Sequence, residues 1–128
     1  MARFLVAATV LALLAAAAAR GDEQATIART LAENILGKGT VHSSRMIEDG
    51  RAVDLVWESA TFKPTNGAAF TRELLQAEVQ LAAGAIFHVL RHVQGVQFEI
   101  VRGRRRLCAG RASRDRPLLI RYARDLDG

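Results

Sequence analysis

The chain has 128 residues, half of them hydrophobic, with a single cysteine and a formal net charge of +5. That length holds one domain with a modest core and leaves no room for a second, and a lone cysteine excludes an internal disulfide, so packing must hold the fold. With sixteen arginines to two lysines, the positive surplus consists mostly of planar guanidinium groups that pair bidentately with carboxylates and phosphates.

The first element in chain order is an export signal. Arg3 precedes an unbroken apolar run from Phe4 to Ala19 that closes on Ala17, Ala18 and Ala19: a short positive start, an apolar middle and the small residues a signal peptidase accepts. Cleavage after Ala19 is expected, leaving residues 20–128 as a single α+β domain, secreted or periplasmic. The alternative, an anchor retained by residues 4–19, meets the difficulty that sixteen residues fall short of the roughly 20 needed to cross a bilayer.

In the mature region a first helix is predicted from Gln24 to Leu36. Ile27, Leu31 and Ile35 form its single apolar stripe, Asp22 and Glu23 suit its start, and Gly37 and Gly39 suit its end. Thr40–Ile47 and Arg51–Glu58 read as strands of a tight hairpin turning at Asp49-Gly50, both of which tolerate positive φ. Val53, Leu55 and Trp57 then share one face of the second strand, with Asp54 and Glu58 on the other. After Pro64 and Asn66-Gly67, the segment Thr71–Val93 carries the strongest helical pattern, from Leu74 and Leu75 to Leu90 and Val93, with Thr71 as its N-cap. Gly95 ends it. Val96–Val101 alternates as a strand with Val96, Phe98 and Ile100 inward, Gly103-Arg104 turns the chain into Arg106–Ala112, and a last strand runs from Leu118 to Arg124. Cys108, flanked by Leu107 and Ala109, is expected to be buried. The register there stays open, since either Leu107 with Ala109 or Cys108 with Gly110 could face inward.

These elements predict an α+β, two-layer sandwich: an antiparallel sheet of four to five strands with one long amphipathic helix across it and a short N-terminal helix. The far face of that sheet carries Val56, Val101 and one of Leu118 and Leu119. It calls for a cover, either the first helix folded back over it or a second copy of the chain.

No Gly-x-Ser-x-Gly and no phosphate-cradling glycine loop occurs, so the chain reads as a binding or scaffold protein with no cofactor, and not as an enzyme. Glu73 and Glu78 on the long helix, and Asp54 and Glu58 on the strand, read as solvated surface. His88 and His92 lie four apart on the long helix, a spacing that sets two imidazoles on one face and suits a metal, although the glutamate of a His-Glu-x-x-His motif is missing. A small metal-binding protein is thus one alternative reading, and a homo-oligomer that buries the second sheet face is another.

The clearest chemical bias lies in the last quarter, where nine arginines between Arg102 and Arg124 face one acid, Asp115. Arg102, Arg104, Arg105, Arg106, Arg111 and Arg121 form the candidate anion-binding set, with Arg102–Arg106 crowding one hairpin tip. Such a surface suits an anionic polymer, a lipid headgroup or an acidic protein at the cell envelope. It argues against nucleic acid, because Tyr122 alone is at hand to stack a base and an exported protein is kept from the genome.

Overall fold

The computed structural model describes residues 20–127. The signal peptide expected at residues 1–19 lies outside the described residues. Five strands and two helices follow from there: α1 (described over residues 20–36), β1 (Val41–Ile47), β2 (Ala52–Glu58), α2 (Ala68–Val89), β3 (Gly95–Arg102), β4 (Arg105–Ser113) and β5 (Leu119–Tyr122). The strands form one sheet in the order β1-β2-β3-β4-β5, so the expected two-layer α+β sandwich is the observed one. Three of its four strand pairs are antiparallel, and β2 with β3 is parallel. The exception follows from α2, which carries the chain back along the sheet so that β3 starts at the same end as β2.

The β1–β2 hairpin turns where Asp49-Gly50 predicts. Its connection spans Glu48 to Arg51, and Glu48, Asp49 and Gly50 all take positive φ, at 53°, 56° and 82°. Alternation then sorts the sheet. Val53, Leu55 and Trp57 of β2 and Val96, Phe98 and Ile100 of β3 are each at most 2 % exposed and face the helices. Trp57 and Phe98 pack with ring centroids 6.0 Å apart. Against them α2 sets Leu75, Val79, Ala82, Ala83 and Ile86. Each fully buried side chain of this size contributes about 1.5–3 kcal/mol, so this layer supplies most of the driving force.

α1 packs on the same layer as α2 and does not fold back over the far face. Its Ala28, Ala32 and Leu36 join the same core cluster, and Ser44 of β1 donates to the Ala25 carbonyl at 2.7 Å. Of the expected stripe, Ile27 and Leu31 are partly buried against the core and Ile35 is 41 % exposed, while the fully buried positions are Ala28 and Ala32. Small side chains let the helix lie close on the sheet, with the larger Ile27 and Leu31 to the side of the contact line.

α2 begins three residues before Thr71, and Gly67, not Thr71, is its N-cap. It also ends four residues before Val93. Leu90 leaves helical geometry at φ −96°, ψ 80°, and Arg114, from the loop after β4, bonds the carbonyls at this end, of which only that of Leu90 also accepts a main-chain N–H, from Val93. Its guanidinium donates to the carbonyls of Phe87 at 2.6 Å and Leu90 at 3.1 Å through Nη2, and to that of Val93 at 2.6 Å through Nε. A helix end needs such acceptor partners, and a cation at that end also suits the helix dipole.

The open register around Leu107 resolves through a bulge. β4 pairs Cys108 with Ile100 and Arg106 with Val101, so one extra residue is accommodated between them. Both Leu107 and Cys108 are thereby fully buried, and the lone cysteine sits inside as expected. Burial pushes its thiol pKa up to about 12, with the nearby Glu78 charge adding to the shift.

Candidate functional site

With both helices on one face, the other face of the sheet is left open among the described residues. It is concave and forms a groove of about 900 Å³, with Val56 and Ala109 on its floor and Arg45, Arg106, Arg111 and Arg121 around them. Strand register explains the assembly. Val56, Glu99, Ala109 and Arg121 form one row across β2, β3, β4 and β5, and Asp54, Gln97, Arg111 and Leu119 form the next. Residues two apart on a strand share a face, so Arg111 of β4 and Arg121 of β5 fall on the open side and Leu119 with them, while the irregularity in β4 between Arg106 and Cys108 brings Arg106 to the same side.

The six arginines expected to form one patch are distributed over three places. Arg106, Arg111 and Arg121 lie along the groove. Arg104 is at the β3–β4 turn beside Gly103, and Arg102 only reaches back to the Ser59 carbonyl at 3.5 Å. Arg105 is on the helix side, paired with Asp125 and held over the Phe62 ring at 5.7 Å. The tip is thus less crowded than its sequence suggests, because alternate residues of a strand point to opposite faces.

Several of these cations already have partners. Arg106 donates to Glu99 at 3.1 Å, and Arg45 to Asp54 at 3.1 Å. Arg111 makes a bidentate pair with Glu48, at 3.2 and 2.9 Å, reaching it across Gly95. A Cβ on Gly95 would stand 2.5 Å from the Arg111 guanidinium, so the bare backbone of β3 is what lets that side chain lie flat. At the other end of the face Glu58 accepts from the Gly103 N–H at 2.7 Å and from His42 Nε2 at 3.0 Å. These two hydrogen bonds, the Gly103 one foremost, hold its carboxyl below the usual carboxylate range. Exposed pairs of this kind add about 0–1 kcal/mol each. Their larger effect is to leave Arg121, which has no side-chain partner among the described residues, as the groove's available guanidinium.

The two histidines do not share a helix face. His88 is in the last turn of α2, and His92 lies past the helix end, its Nε2 2.8 Å from Gln24 Oε1 of α1. Among the described residues no three His, Cys, Asp or Glu side chains gather where they could hold a metal ion.

Glu78 is a correction to the reading of the α2 acids as solvated. It is 3 % exposed and accepts five hydrogen bonds. Its donors are Trp57 Nε1 and the Ala60 N–H, both at 3.1 Å to Oε1, and Ser59 Oγ at 2.7 Å, Thr61 Oγ1 at 2.5 Å and the Thr61 N–H at 3.4 Å to Oε2. A buried carboxylate is tolerable only when so fully bonded. Sequence carried no sign of this cage, since its donors come from the end of β2 and the loop after it, seventeen or more residues away.

Compared with family models, with curated proteins and with solved structures, the chain matches none.

Proposed function

We propose that this protein is a small exported binding domain that takes an anionic partner on the open face of its sheet. The observation that carries the reading is Arg121, a guanidinium without a side-chain partner among the described residues, at the rim of a groove of about 900 Å³ that also holds Arg106 and Arg111. Concave surfaces of this size with an apolar floor and a few convergent polar groups are the usual form of a ligand site, and a net charge of +5 draws anions toward it. An arginine already paired offers a partner only an exchange of carboxylates, whereas Arg121 offers a new charge-assisted bond. Export supports an envelope or extracellular partner, through the signal pattern of residues 1–19. A hydrolytic role finds no support, because the Ser59–Glu78 contact is sealed from solvent and its carboxylate is saturated with donors.

The test is retention of the purified protein on a dextran sulfate column, with Arg121→Glu and Arg106→Glu compared with the control Arg104→Glu. The two groove variants should elute at clearly lower salt than the control, and equal elution of all three would overturn the reading. Export is tested separately by fractionating an expressing bacterial culture. A periplasmic form whose intact mass begins at Arg20 supports it, and a full-length cytoplasmic form removes it.

A further inference from the structure

We propose that β5 is the docking edge of the molecule and that it takes an extended acidic segment of a partner protein as a sixth strand of the sheet. This rests on the anion-binding reading of the open face, and adds what class of partner binds and how.

The two ends of the sheet are finished differently. At β1, side chains of α1 occupy the outer main chain: Glu33 Oε2 accepts from the Val41 N–H and Arg29 Nη1 donates to the Val41 carbonyl, both at 3.2 Å. The β1–β2 pairing is also irregular between Val41 and Ser43. Blocking groups and bulges are how sheets keep other strands off an edge. β5 has neither. No described residue outside β4 bonds the main chain of Leu119–Tyr122, so the N–H and C=O groups turned away from β4 stand ready for another strand.

The side chains along that edge say what such a strand would carry. Leu119 is 68 % exposed, the highest value for a large apolar side chain among the described residues, and it shares the open face with Arg121. On an added strand the residues opposite these two would also be two apart and on that face, with Cβ atoms about 5 Å from theirs. The matching segment therefore has a carboxylate and an apolar residue at alternate positions: Asp or Glu against Arg121, and Val, Ile or Leu against Leu119. Main-chain ladder bonds would supply affinity and this alternate pair the specificity. The surroundings favour an acidic partner over a second copy. Arg116, Arg121 and Arg124 lack a carboxylate partner among the described residues, and two copies of a +5 chain would meet on an edge of only four residues.

The experiment uses fluorescent seven-residue peptides of alternating Glu and Val, and the same peptides N-methylated at the main-chain nitrogens that would face β5, titrated against the purified protein. Binding is expected, weakened at least tenfold by N-methylation and by Arg121→Glu. A Lys/Val peptide should bind the Arg121→Glu variant better than the parent protein. Equal binding of the methylated and unmethylated peptides overturns strand addition whatever the variant does. Retention on dextran sulfate without any peptide binding overturns the acidic-segment proposal and leaves the anion-binding reading standing. Loss of both removes that reading too. A mass corresponding to two chains in light scattering, abolished by Leu119→Thr, would hand the edge to a second copy and also overturn the proposal.

Discussion

The guanidinium of Arg114 lies 4.7 Å above the ring centroid of Phe87 and donates to the main-chain carbonyl of that same residue at 2.6 Å. One side chain thus closes the end of α2 from the loop after β4, and its further bonds to Leu90 and Val93 fix where the chain turns into β3. Arg114→Ala should cost about 2 kcal/mol, since the Phe87 and Val93 carbonyls lose their donor and the Leu90 carbonyl keeps only the Val93 N–H. Arg114→Lys should recover less than half, because an ammonium cannot reproduce the fork. Urea denaturation measures both, and hydrogen exchange should show the last turn of α2 opening first.

Two glycines of the sheet make opposite predictions from the same substitution. A Cβ on Gly110 would fall 2.0 Å from the Leu119 carbonyl oxygen, and neither backbone can move far without breaking the β4–β5 ladder. Gly110→Ala should therefore cost about 3 kcal/mol or more, in the range of severe strain, and detach β5. At Gly95 the obstacle is the end of the Arg111 side chain, which can swing away. Gly95→Ala should cost under about 1 kcal/mol, the worth of an exposed ion pair. Thermal denaturation of the two variants side by side checks the contrast.

Glu78 holds the loop after β2 to the middle of α2. Glu78→Gln replaces an acceptor oxygen with an amide that points its own hydrogens at donors, so about 3 kcal/mol of stability should be lost. Ser59→Ala removes one donor of five and should cost nearer 1 kcal/mol. The Trp57 indole donates to the same carboxylate, so its fluorescence should report the Glu78 change even under native conditions.

The Cys108 thiol, pushed up to about 12 by burial, makes stability fall in alkali. In the unfolded chain a thiol ionises near about pH 8.5. Above that the unfolded state has shed a proton that the folded state keeps, and the difference favours unfolding. The neutral thiol's contribution is complete below about pH 8.5 and is lost at about 1.4 kcal/mol per pH unit above it. Denaturation midpoints at pH 8 and pH 10 should show this decline in the parent protein and much less of it in Cys108→Ala. A thiol reagent at pH 8 should label Cys108 only when the protein is unfolded.

Local rules carried a good part of this protein. Hydrophobic periods marked the elements from α1 to β5, Asp49-Gly50 placed the hairpin, and strand alternation placed Val53, Leu55 and Trp57 opposite Asp54 and Glu58, because these depend on residues within a few positions of one another. Other features depended on contacts between distant segments. Whether β3 runs with β2 or against it, which helix stripe meets the sheet, and where α2 stops were settled by α2's path, by the small side chains of Ala28 and Ala32, and by Arg114. The same holds for the site. Sequence showed that the last quarter was rich in arginine, but only the folded sheet paired Arg106 with Glu99 and Arg111 with Glu48 and left Arg121 beside Leu119. An ion pair forms between whichever charges the strand register brings within about 4 Å, and register is a property of the whole sheet.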